Sequence, residues 1–241
     1  MRALRVLLIV AVVLGVLFVV VDRVAVHFAE DKAAERIKST ENLASKPDVS
    51  IKGFPFLTQV ASGELDDVQV GIKDLEADTG DGAQKIRVDG LTADMKGVRF
   101  SGDYSSAVAD RAAGQATVAY AELLKTAKAQ PTDVGLGITA RVVSLADGGH
   151  GKIKIGVQFS VLRKPLYVLS SVTVRYGKLR IAAEGLPQLL GFDLPADRVR
   201  SITDFQQAID RLPGGIRLDA VRAVKGGVEI TMKGSKVRLA G

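Results

Sequence analysis

In most segments between Val68 and Leu239, apolar and other side chains alternate with a period of two. That pattern limits the fold more than any other feature. Val68, Val70 and Ile72 alternate with Gln69, Gly71 and Lys73, and Val134, Leu136, Ile138, Ala140 and Val142 read as one longer strand. The clearest case is Ile153, Ile155, Val157, Phe159 and Val161, whose opposite face is Lys152, Lys154, Gly156, Gln158 and Ser160. Successive side chains of a strand point to opposite faces, so each run is a half-buried strand with one apolar side. Ile86 and Val88, then Leu91, Ala93 and Met95, then Val98 and Phe100 continue the pattern. So do Leu166, Val168, Val172 and Val174, then Leu179, Ile181 and Ala183, and last the segments 216–224, 228–232 and 237–239. Short turns containing glycine join most of them, including 78–82, which argues for a large antiparallel sheet. Trp is absent and aromatics are 5% of the chain, so its apolar side must be built from Val, Ile, Leu and Ala.

The N-terminus follows a different rule. Residues 6–21 are sixteen apolar residues without interruption, preceded by Arg2 and Arg5 and followed by Asp22 and Arg23. As a helix the run spans roughly 24 Å, and roughly 30 Å with residues 3–4 and 24–25, the thickness of a bilayer's hydrocarbon core. A cleaved signal peptide needs small residues at −3 and −1. Ala25 and Ala29 lack that spacing, because His27 and Phe28 intervene. A retained anchor is therefore expected, with the N-terminal arginines cytoplasmic and the rest of the chain outside. Residues 22–45, rich in Ala, Glu, Lys and Arg, read as a helical stalk with a thin apolar stripe of Val24, Phe28 and Ile37, ended by Lys46-Pro47.

Two further segments are read as helical. Within 105–129 a strand runs to about Tyr120 and a helix follows over 121–129, closed by Pro131. Over 201–212, Ser201 reads as an N-cap with Asp204 three residues on, and Ile202, Phe205, Ala208, Ile209 and Leu212 share one helical face.

One short stretch stands apart, Val49-Ser50-Ile51-Lys52-Gly53-Phe54-Pro55-Phe56-Leu57-Thr58-Gln59-Val60. Pro55 fixes its own φ and pushes Phe54 towards an extended conformation, while Gly53 frees the backbone to turn. A short strand thus runs into a rigid corner that presents Phe54, Phe56 and Leu57 together. Such a corner either plugs the end of a core or forms an apolar lip at the mouth of a lipid site.

The pattern P-x-V-x-I-x-G-F-P-F-L-T-Q-V over 47–60, with Gly63 after it, an apolar N-terminus and a charged stalk before it, resembles the actinobacterial LmeA-like phospholipid-binding family. Leu212-Pro213-Gly214-Gly215-Ile216-Arg217-Leu218, then Val221 and Gly226-Gly227-Val228-Glu229-Ile230, is similar to that family's closing segment. The resemblance covers nearly everything after about residue 30. It implies an extracytoplasmic phospholipid-binding protein with the elongated fold of tubular lipid-binding proteins.

Catalytic chemistry is scarce. Cysteine is absent, which excludes disulfides, thiolate metal sites, a cysteine nucleophile and lipoprotein-type acylation. There is no G-x-S-x-G elbow. Gly149-His150-Gly151-Lys152 lacks the first glycine and the Ser/Thr of a phosphate loop and reads as a hairpin turn. Asp74, Glu76, Asp78 and Gly80 hint at a calcium loop, but the glycine falls late and Lys85 stands where its bidentate Glu belongs. With only His27 and His150, a His-based zinc site or triad has too few ligands, and Asp66 and Asp67 point to opposite faces of a strand. The net charge is +6, which favours anionic surfaces, yet no Lys/Arg run exceeds two residues, so nucleic acid is not an expected partner.

Together these readings predict an α+β protein: a large curved antiparallel β-sheet or barrel-like domain packed with a few helices, preceded by a single N-terminal transmembrane helix. The expected divisions are 1–25 anchor, 26–46 stalk and 47–241 extracytoplasmic lipid-binding domain. The expected function is non-enzymatic binding of phospholipid, anionic phospholipid above all, in an apolar groove or channel at the membrane, supporting envelope lipid or glycolipid metabolism or transport, without a cofactor and with envelope biosynthesis enzymes as protein partners. Phe54, Pro55, Phe56, Leu57, Val157 and Phe159 are the expected lipid contacts. The alternative is an envelope scaffold that binds a protein partner and no lipid. A sheet with one Val/Ile/Leu face serves a lined channel and a filled core equally.

Overall fold

Alternating strands bury one face when they pair side by side. The computed structural model describes residues 2–78, 85–102, 106–126, 131–135, 137–175, 178–184, 205–208 and 215–240. Its elements in order are α1 (Arg2–Thr40), β1 (Asp48–Lys52), α2 (Phe56–Ser62), β2 (Glu64–Ile72), β3 (Leu75–Asp78), β4 (Lys85–Phe100) and β5 (Ala107–Ala119). Then come α3 (Tyr120–Thr126), β6 (Thr132–Gly135), β7 (Ile138–Gly149), β8 (Lys152–Phe159), β9 (Leu166–Arg175), β10 (Lys178–Glu184), β11 (Phe205–Ala208), β12 (Ile216–Val224) and β13 (Gly227–Ala240). The fold is α+β, with two large sheets, few helices and one long apolar N-terminal helix of a length to cross a membrane. One sheet has the order β1-β2-β4-β5-β13-β12, with β3 beside β4, and the other β11-β10-β9-β8-β7-β6. The second sheet is antiparallel throughout. The chain forms two compact units, one of 1–72, 92–112 and 234–241, the other of 73–91 and 113–233.

In the first unit, α1 is a single helix of 39 residues, roughly 58 Å long, so the segments expected as anchor and stalk form one continuous helix up to Thr40. Its apolar N-terminal window is wholly uncovered by protein. Past that window the helix packs on β1 and α2. The covered residues there are Asp22, Val26 and Ala34, whereas Val24 and Phe28, expected in the stripe, are exposed. That face was hidden from a hydropathy reading because its first member is an aspartate. The helix also stops before Lys46-Pro47. Asn42 takes a left-handed conformation (φ 49°), and the Leu43 N–H closes back on the Lys38 carbonyl at 2.9 Å, the pairing that ends helices when a residue tolerant of positive φ follows. Lys46 then bonds Asp31 at 2.9 Å, which holds the Asp31 carboxyl below its usual range and raises the Lys46 ammonium.

The second unit holds the main core. Val134, Ala140, Val142, Ile153, Ile155, Val157 and Phe159 pack with Leu218, Val221, Ala223 and Val228. The alternation of β8 has Ile153, Ile155, Val157 and Phe159 buried and Lys154 exposed, while Gly156 on the opposite face is also buried. Irregularities at 142–144 and 147–149 of β7 insert residues into one strand of the ladder, which bends a sheet. Tyr120 opens α3, buries its ring and donates to the Val224 carbonyl at 3.0 Å. Burial, and then the Asp147 charge, raises its pKa and keeps that donor protonated. Gly227 is obligatory in β13, because a Cβ there would run into the Val118 backbone.

Four expected elements differ from the structure. The alternating run 134–142 is two strands of a hairpin, turned at Gly135 (φ 101°) and Gly137 (φ 70°). Val161 lies beyond β8, in the turn that follows. The last two strands are one, β13. The helix expected over 201–212 is corrected at 205–208, which is β11, paired antiparallel with β10; the rest of that segment, like the turn at 79–82, lies outside the described residues. By contrast β5 and α3 meet at residue 120 as the composition predicted, and His150 sits at positive φ in a hairpin turn between β7 and β8.

Candidate functional site

The corner is built residue by residue from its motif. Ile51 is buried on β1, and its N–H donates to Glu30 of α1 at 2.8 Å. Gly53 has a φ of 99°, and a Cβ there would meet the Gln59 amide and the Asp66 carboxylate, so only glycine fits. The Phe54–Pro55 peptide bond is cis. Pro55 then opens α2 without a side-chain cap of its own. Asp22, reaching from α1, takes that place and accepts from the Leu57 N–H at 2.8 Å. Gln59 closes the corner from inside, accepting from the Asp66 N–H at 2.8 Å. Gly63, at φ 76°, ends α2 by returning its N–H to Gln59 and Val60.

This frame separates the two phenylalanines. Phe56 is 6% exposed, while Phe54 is 59% exposed. Pro55 and Leu57 are half-buried. The Arg23 guanidinium lies 5.3 Å from the Phe54 ring centroid and bonds Asp22 at 2.6 Å. A cation over an exposed ring beside an apolar helix is the composition of a membrane–water boundary.

Val157 and Phe159 belong to the other unit, where both are fully buried on the inner face of β8. On the neighbouring strand β9, Ser170 shares the buried side with Val168. Its hydroxyl is fully buried and has no hydrogen-bond partner among the described residues. Such a group costs stability unless something completes it. The opposite face of β7 and β8 carries a cavity of about 300 Å³, lined among others by Pro131, Thr139, Arg141, Gln158, Ser160 and Leu162. That volume is at the lower end for ligand clefts, so it suits a headgroup better than a diacyl lipid.

Asp22, Glu30, Gln59 and Ser170 were not singled out by the sequence. Only Asp22 left a signal, as a carboxylate placed straight after an apolar run. Among the described residues no group of His, Asp and Glu is arranged to hold a metal. Asp74, from the calcium-like stretch, faces Arg87 at 3.9 Å.

Residues 20–233 match the family model described as LmeA-like phospholipid-binding. No curated protein and no solved structure matches the chain.

Proposed function

The chain belongs to the LmeA-like phospholipid-binding family, and from that premise we propose a membrane-anchored, extracytoplasmic protein. It holds phospholipid against the apolar side of its sheet, performs no catalysis, and supports lipid or glycolipid metabolism or transport in the cell envelope. The family match carries this reading, because it spans 20–233 and leaves out little beyond the apolar N-terminal run. The unpartnered Ser170 hydroxyl supports it, since an ester or phosphate oxygen brought to the inner face would accept from it.

Full-length protein, moved from one mild detergent to another and then extracted with organic solvent, is expected to release phospholipid in near-stoichiometric amount. Lipids around the anchor exchange away in that procedure, whereas an enclosed one stays. Ser170→Ala is expected to retain less lipid. Finding no phospholipid in the wild-type extract would overturn the reading in favour of the scaffold.

The anchor is proposed to remain uncleaved. Residues 25–30 lie inside α1, and a cut there would remove Asp22 and Arg23 from the corner they hold. Terminal sequencing of the mature protein is expected to find residues before Val6. A mature N-terminus between Ala25 and Glu30 would show a signal peptide instead.

A further inference from the structure

From Gly148 to Ala183 the chain has no Asp or Glu but carries Lys152, Lys154, Arg163, Lys164, Arg175, Lys178 and Arg180. Seven positive charges in one uninterrupted stretch exceed the net charge of the whole chain, which is +6. The rest of the molecule is therefore close to neutral, and its basicity is concentrated on the consecutive strands β8, β9 and β10 and their connections.

The same region exposes apolar surface. Outside α1, the large hydrophobic side chains that stand exposed among the described residues are Phe54, Val161, Tyr167, Leu169 and Leu239. Three of these five lie on β9 or in the turn before it. Register puts Lys154 opposite Leu169 and Gly156 opposite Tyr167, so all four share the outer face. With no side chain at Gly156, the Tyr167 ring closes to 3.2 Å of where a Cβ would stand, and it stays 60% exposed. The Lys154 ammonium lies 5.3 Å from that ring's centroid. In the turn, Val161 is 50% exposed beside Arg163 and Lys164. Across the strand pair, Arg141 lines the headgroup-sized cavity together with Ser160 and Leu162. Among the described residues Arg141, Arg163 and Lys164 have no ion pair, whereas Lys152 is matched by Glu184.

We propose that this face, made by the outer side of β8 and β9 and the 160–165 turn, docks on an anionic phospholipid surface. Val161, Tyr167 and Leu169 enter the interface, while Arg141, Arg163 and Lys164 meet phosphate oxygens. Tyrosine and aliphatic groups interspersed with unpaired cations suit a bilayer boundary, where one end of each side chain is apolar and the other wet. A purely acidic partner would leave the apolar members unused. The proposal deepens the phospholipid-binding reading by naming a contact surface and a headgroup class, and it concerns a different side of the sheet from the buried face.

The absence of cysteine makes the test direct. Val161→Cys in the full-length chain gives one thiol for an environment-sensitive fluorophore, and Tyr167→Cys gives a second, independent position. Labelled protein is held in nanodiscs of phosphatidylcholine, with or without phosphatidylglycerol, and is also offered vesicles of either composition. The expected result is a blue-shifted, stronger emission with phosphatidylglycerol in the disc or in the added vesicle, reversed by high salt. Charge reversal by Arg163→Glu with Lys164→Glu is expected to weaken that response by about 25-fold or more in the lipid titration. No shift at either position, an equal shift with phosphatidylcholine alone, or a shift that survives charge reversal would overturn the proposal. So would the same shift on adding heparin without anionic lipid, which would assign the face to an acidic polymer. Lipid extracted from the same preparation reports on the buried face, so failure of docking and failure of lipid binding are read separately.

Discussion

Replacing Phe159 with alanine is expected to lower the free energy of unfolding by about 3–5 kcal/mol, the cost of emptying a large aromatic from a packed site. Phe159 is 0% exposed and is the bulkiest of the fully buried side chains. It closes the end of a strand whose inward residues, Ile153, Ile155 and Val157, are buried with it. It belongs to the same core cluster as Leu218 and Val221 of β12 and Val228 of β13, so its loss leaves a void in the main core of that unit. Chemical denaturation followed by circular dichroism measures the loss, with Val161→Ala as the exposed control, expected within about 0.5 kcal/mol of wild type. The same variant carries information on lipid. If bound lipid completes the surroundings of Phe159, truncation costs less than the full amount in lipid-loaded protein, and lipid retention falls. A full loss of stability with unchanged retention would place the lipid away from this end of β8.

Much of the sheet was legible because its strands obey a rule that one residue can report. Where one face is buried and the other wet, each position declares its side, and β8 and β12 have their expected starts for that reason. The rule fails where two structures share it. Both arms of a hairpin alternate, so the run through Val134 and Ala140 reads as one strand unless Gly135 and Gly137 are taken as the turn. It also fails where pairing overrides local preference: 205–208 has helical spacing, yet the edge of β10 offers it a ladder of backbone hydrogen bonds. The corner divides in the same way. Gly53, Pro55 and Gly63 announce local backbone needs and are visible in the sequence. The partners of Leu57, Ile51 and Asp66 are side chains 35, 21 and 7 residues away; Asp22 is marked only by its place after the apolar run, and nothing local marks Glu30 or Gln59 as acceptors. Ser170 is hidden for a related reason, since a serine in an alternating strand looks like a neutral interruption.

Phe54 and Phe56, two residues apart, are expected to respond to substitution in opposite ways. The sequence offered one role for both, plug or lip, and their burial divides them. Phe56, 6% exposed at the start of α2, is expected to cost at least about 3 kcal/mol when changed to serine, because a buried ring is lost and a hydroxyl enters in its place. Phe54, 59% exposed, has little packing to lose. Its serine variant gives up the Arg23 contact, about 0.5–1 kcal/mol at an exposed site, and the fold should otherwise stand. Its effect belongs to the membrane instead. The ring sits with Arg23 just past the apolar run of α1, so removing it should weaken binding to anionic phospholipid vesicles while the melting curve barely moves. Thermal melts and vesicle co-sedimentation of the same two variants decide the matter. Two variants that melt alike would refute the division of roles. If Phe54→Ser melts like wild type and binds vesicles equally well, this corner serves to fix α2 against α1, through Asp22 and Leu57, and lipid is met elsewhere.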